Sequence, residues 1–133
     1  MKDLDMWTNI LLGLAAVWHA AAAFYFLGLT GRMLGSHTFE RPVNVIAQDM
    51  MQFLGAMNVS ILVACIYGII GGAAVQTAVL LIVAAANLSQ FAKDVHAHSS
   101  GRWKPRLAMI TALDAFFGFV CLGVYITQVA ARA

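Results

Sequence analysis

The chain has 133 residues, 62% of them hydrophobic and only 11% charged, with a formal charge of +2 and a mean hydropathy of +0.81. Soluble domains carry about a quarter charged residues. Too few polar residues remain to wet a globular surface, which argues against a soluble helical bundle, and the small net charge leaves no electrostatic footprint for nucleic acid.

About 20 apolar residues cross roughly 30 Å of hydrocarbon. Four stretches come up to that length: Trp7–Thr30, Val43–Ile70, Ala73–Phe91 and Leu107–Val129. The expected fold is therefore all-α, an integral membrane four-helix bundle of antiparallel up-down topology in a single domain, residues 1–133. The opening Met1–Met6 holds one lysine and two aspartates, and the run after it is too long for a signal peptide's apolar region. The first stretch is expected to be a retained helix. On it His19 shares a face with Leu12, Ala15, Ala22 and Phe26, and Trp7 reads as an interfacial anchor.

The second stretch opens at Pro42, a favoured proline position at a helix start. Gln48, Asp49, Gln52 and Ser60 share roughly a third of its circumference, whereas Asn58 points the other way. A Gly71–Gly72 connection predicts a tight hairpin into the third stretch. There Gln76, Asn87, Gln90 and Asp94 form one continuous stripe, and His96 and His98 are expected in the loop that follows. Pro105 opens the fourth stretch, on which Thr111, Asp114, Gly118, Cys121 and Tyr125 step by 3, 4, 3 and 4, a spacing that faces a partner helix. Trp103 reads as a second anchor, and Phe116, Phe117 and Phe119 as lipid-facing or packing surface. The intervals Pro42 to Gly55 and Pro105 to Gly118 are equal and each contains an aspartate, a hint of two-plus-two duplication.

Basic residues set the orientation. Arg32, Arg41, Lys93, Arg102, Lys104 and Arg106 flank the first and third connections, against Lys2 and Arg132 on the other side. The positive-inside rule then puts both termini on the non-cytoplasmic side, in a multi-pass protein of a bacterial inner membrane. At 1.5 Å per residue, Asp49 lies ~10 Å, Asp114 ~13 Å and Asn87 ~9 Å from the cytoplasmic end, with His19 near the midplane.

Ionisable groups at that depth are expensive and mark functional sites. His19, Asp49, Gln52, Asn87, Gln90 and Asp114 are accordingly the candidate ligand- or partner-binding residues, around a polar cavity in the cytoplasmic half. Asp49 and Asp114 are close enough in depth to share one proton. No cofactor or metal is expected. Haem would need a second axial ligand at the depth of His19, and His96 with His98 lacks a matching ligand set. Cys65 and Cys121, without a C-x-x-C spacing, read as small buried apolar residues.

Gly101-Arg102-Trp103-Lys104-Pro105 followed by Asp114 resembles the polar turn and acidic last helix of small bacterial four-helix proteins of the DoxX-like group, across the whole chain. That resemblance implies architecture more than chemistry. Phe39-Glu40-Arg41 and Asp49-Met50 are similar to the start of the second helix in the MAPEG family of glutathione-dependent membrane enzymes. Gln48 and Met51 replace that family's Asn and Glu, and its helix-3 Arg is missing, so the glutathione motif is incomplete.

Three functional readings stay open. The first is a non-catalytic binding or accessory subunit, whose partners are membrane lipids, a lipophilic or cationic small molecule, further copies of the chain, or a larger membrane complex. The second is a membrane enzyme acting on a lipophilic substrate with Asp49 and Asp114 as acid and base. The third is a proton-coupled small-molecule carrier working as a dimer.

Overall fold

The computed structural model describes residues 2–28, 45–102 and 107–132. They form four helices: α1 (Lys2–Gly28), α2 (Val45–Ile70), α3 (Gly72–Ser99) and α4 (Ala108–Ala130). All are long and apolar enough to cross a membrane, over Met6–Gly28, Gln48–Ile70, Gly72–Ser99 and Ala108–Ala130. Pro42, Pro105, Trp103, His37, the Phe39-Glu40-Arg41 run and the basic residues Arg32, Lys104 and Arg106 fall outside the described residues.

Helix α1 packs most closely on α2 and α3 on α4, with α2 joined to α3. A single residue, Gly71, separates α2 from α3, and Gly72 takes φ +77°. That left-handed geometry is open to glycine at little cost, so the expected Gly71–Gly72 turn is present. Leu12, Cys65, Leu80, Val83 and Cys121 form the fully buried centre of the core, with Ala15 and Ala84 letting helices approach. The outward faces of α1 and α4 carry bulky apolar groups: Trp7, Ile10, Leu14, Val17 and Phe24 on one, Met109, Phe116, Phe119 and Ile126 on the other. Phe117, between two exposed rings, is buried.

One boundary differs from expectation. Helix α3 continues to Ser99, past Phe91 where its apolar run stops, so His96 and His98 lie in its last turns rather than in a loop. The end is set by Gly101 at φ +70°. Its N–H donates to the His98 carbonyl at 3.0 Å, and Arg102 N–H donates to the Ala97 carbonyl at 2.9 Å. These two bonds are the Schellman pattern that satisfies a helix's last carbonyls. Hydropathy marks where hydrocarbon contact ends, and the cap marks where the helix ends.

Close contact between helices fixes the relative height of their polar groups. A side chain at Gly118 would come within 2.8 Å of Leu88 side-chain atoms and 3.1 Å of its backbone nitrogen. Helix α4 therefore rides directly on α3 there, one turn beyond Asp114.

Candidate functional site

His19 is 4% exposed and lies between two amides on two other helices. Its Nδ1 is 2.7 Å from Asn58 Oδ1 on α2, and its Nε2 is 3.2 Å from Asn87 Nδ2 on α3. Both amide orientations are pinned, because Asn58 Nδ2 donates to the Leu54 carbonyl at 2.8 Å and Asn87 Nδ2 to the Val83 carbonyl at 2.9 Å. Asn58 can thus only accept from the ring and Asn87 can only donate to it. His19 is held as the neutral tautomer with its proton on Nδ1.

The second part of the site is acidic. Trp18, the residue before His19, donates its indole Nε1–H to Asp114 Oδ1 at 3.2 Å. The Asp114 carboxyl is in turn within hydrogen-bonding reach of Asp94 on α3. Asp94 is fully buried and accepts from Gln90 Nε2 at 2.8 Å through Oδ1. Its Oδ2 is buried without a donor, although the Thr111 hydroxyl is nearby. Thr111 continues outward to His98 Nε2 at 3.1 Å. Two carboxyl groups facing each other inside an apolar bundle repel when both are charged, an arrangement that a proton or a bound cation relieves.

A third polar group sits at the other end of the bundle. Gln76 Nε2 donates to Asn9 Oδ1 at 2.7 Å, Gln128 Nε2 donates to Thr8 Oγ1 at 2.9 Å, and Thr77 Oγ1 lies 2.6 Å from Gln128 Oε1. It ties α1, α3 and α4 together with neutral groups alone.

The predicted residues divide accordingly. His19, Asn87, Gln90 and Asp114 come together in the buried interior, on three helices. Asp49 and Gln52 do not join them: both are exposed on the outer side of α2. The expected Asp49–Asp114 proximity is thereby corrected, and the carboxyl beside Asp114 is Asp94, from the α3 stripe. Asn58, expected to point away, is the α2 residue that reaches inward. The physical reason is that α2 is apolar almost all round, so helical phase groups its polar residues without saying which group faces in.

Trp18 and Gln128 also escaped sequence reasoning. Within an apolar stretch Trp18 counts as one more hydrophobic residue although it carries an N–H donor, and Gln128 lies close to the end of its helix. The orphaned acceptors, Asn87 Oδ1 and Asp94 Oδ2 here and Gln76 Oε1 at the far end, are buried without donors. Among the described residues no group of three His, Cys, Asp or Glu is placed to hold a metal ion. Cys65 and Cys121 are free thiols, both fully buried in the core.

Four spans around a buried polar interior define the class, an all-helical multi-pass membrane protein. Comparison with protein-family models, curated proteins and solved structures finds no match to this chain.

Proposed function

We propose that the protein is a non-catalytic membrane binding or accessory subunit whose interior site takes the head group of a lipophilic amphiphile. The observation that carries this is chemical. One buried atom left over beside the Asp114 carboxyl, Asp94 Oδ2, is an acceptor, and Asn87 Oδ1, two turns away on α3, is another. Buried polar atoms without partners are rare and costly. What completes them must donate hydrogen bonds, and a carboxyl pair favours a donor that is also cationic, such as a primary amine on an alkyl chain.

The test uses the full chain in detergent, with dodecylamine, dodecanol and dodecyl sulfate as probes below micellar concentrations. Fluorescence of Trp18, left as the sole tryptophan by Trp7→Phe and Trp103→Phe, is the readout, because its N–H is on Asp114. A saturable change with the amine alone, lost in Asp114→Asn, is expected. Equal responses to all three probes, or an undiminished response in Asp114→Asn, would overturn the reading.

The antiparallel up-down order belongs to the same proposal. Its support is that Gly68, near the end of α2, abuts Leu12, near the start of α1, whereas Gly55 abuts Phe26 and Leu27 at the end of α1. In the same way His98 meets Thr111 while Thr77 meets Gln128. Both termini outside the cytoplasm are proposed from the distribution of basic residues, and a bacterial inner membrane from the DoxX-like outline. The DoxX-like outline is proposed on the same architectural footing. Cysteine-accessibility labelling at Lys2 and Arg102 from each side of sealed vesicles tests the orientation.

A second reading, proton-coupled carriage, is favoured by one arrangement. His98, Thr111, Asp94 and Asp114 form a line of exchangeable groups from the end of α3 into the bundle. Proteoliposome flux that ignores an imposed pH gradient would remove it. Acid–base catalysis by Asp49 with Asp114 lacks support from the geometry, since Asp49 is exposed on α2.

A further inference from the structure

One seam on the outer surface of α2 carries a carboxylate and an amide at its start. Asp49, Gln52, Ala56, Val59, Val63, Ile66 and Ile70 are all exposed and step by 3, 4, 3, 4, 3 and 4 along the helix. Any helix face can be traced with such steps, so the spacing alone decides nothing. The composition decides. Other faces of α2 expose Met50, Phe53, Met57 and Tyr67, as α1 and α4 expose bulky apolar groups, whereas this seam presents a carboxylate, an amide, an alanine and a run of β-branched residues. Gln52 lies a full turn inside the apolar span that begins at Gln48. Neither it nor Asp49 has a hydrogen-bond partner among the described residues.

An amide facing hydrocarbon leaves two donors and a carbonyl unsatisfied. In membranes such groups serve as interhelical glue, and small residues beside them let backbones come close. We infer that this seam of α2 packs against the same seam of a second copy of the chain, forming a two-fold dimer.

The occupant is specified by self-complementarity. Both copies insert into the bilayer in one orientation, so a two-fold along the membrane normal sets the two α2 helices parallel. In a parallel symmetric pair, a residue near the axis meets its equivalent, and positions three or four apart meet reciprocally. Gln52 of each copy then donates to Asp49 of the other, twice over, which supplies the carboxylate with a donor and the amide with an acceptor. Ala56 permits the approach next to this polar pair, and Val59, Val63, Ile66 and Ile70 extend an apolar zipper to the end of the helix. A lipid acyl chain offers none of the polar complements. The inference is independent of the interior site, whose residues lie on the opposite side of α2 from this seam or on other helices.

The experiment uses the full chain in phosphatidylethanolamine–phosphatidylglycerol vesicles at high lipid-to-protein ratio. Cysteine is introduced singly at Gln52→Cys, Ala56→Cys or Val63→Cys, with Met57→Cys and Ala85→Cys as controls on other exposed faces. Native Cys65 and Cys121 are buried and do not compete for a mild oxidant. Disulfide-linked dimers at the three seam positions and not at the controls are the expected result. Gln52→Leu should lower the dimer association constant about tenfold, the effect of losing two intramembrane hydrogen bonds, while Met57→Leu leaves it unchanged. The inference is overturned by equal linkage at a control position, by no linkage at any position, by ladders above the dimer along the seam, or by a Gln52→Leu protein that dimerises as before. All substituted positions are exposed, so folding does not depend on them.

Discussion

Two buried polar regions stand at different heights in one bundle, and they are built from different chemistry. At one end Thr8, Asn9, Gln76, Thr77 and Gln128 link α1, α3 and α4 with amides and hydroxyls. Each of these groups both donates and accepts, so the set nearly closes on itself, with Gln76 Oε1 left over. At the other end Asp94 and Asp114 bring acceptors together and have only Gln90 and Trp18 as firm donors. Amides make glue because they pair with one another. Carboxyl groups need a proton, a cation or an imported donor, which is why the proposed ligand is placed at this region and not at the other.

The sharpest way to break this contrast is Asp114→Asn. In amine titrations followed by tryptophan fluorescence, affinity should fall by roughly two orders of magnitude, the order of 3 kcal/mol expected when one partner of a buried charged contact is removed. Next is His19→Leu, which leaves Asn58 Oδ1 without its donor and takes the acceptor from Asn87. Thermal or denaturant unfolding in detergent should register a loss of about 1–3 kcal/mol. Gln128→Leu strikes the other region and removes contacts to Thr8 and Thr77. A stability loss of about 1 kcal/mol with unchanged amine affinity is expected, and reduced affinity would mean the two regions act as one. The smallest effect belongs to Ser60→Ala. Its hydroxyl bonds only to the Ala56 carbonyl of its own helix at 3.2 Å, so stability should move by no more than about 0.5 kcal/mol.

Much of this organisation was legible in the residues. Four spans follow from hydropathy, and the Gly71–Gly72 turn from glycine pairing. The α3 stripe of Gln76, Asn87, Gln90 and Asp94 faces inward as its phase requires, since alanines and valines of the same face carry it into the core. Helix α2 is where reading by phase failed. Its polar residues fall on two faces of an otherwise apolar helix, and hydrocarbon outside resembles packing inside, so the inward turn of Asn58 and the exposure of Asp49 were not separable. The extent of α3 was misjudged for a different reason. Lys93, Asp94, His96 and His98 end the apolar run but do not break a helix, and only Gly101 supplies the conformation that does.

The two amides that clamp His19 limit more than its tautomer. A second proton on Nε2 would point at the Asn87 Nδ2 donor, which the Val83 carbonyl keeps from turning round. On the carrier reading, protons reaching Asp114 along the His98–Thr111–Asp94 line would find no onward acceptor in the ring beside it. On that reading the bundle would resemble a well rather than a wire, with charge held at the Asp94–Asp114 end and a neutral histidine in its amide brackets closing the way onward.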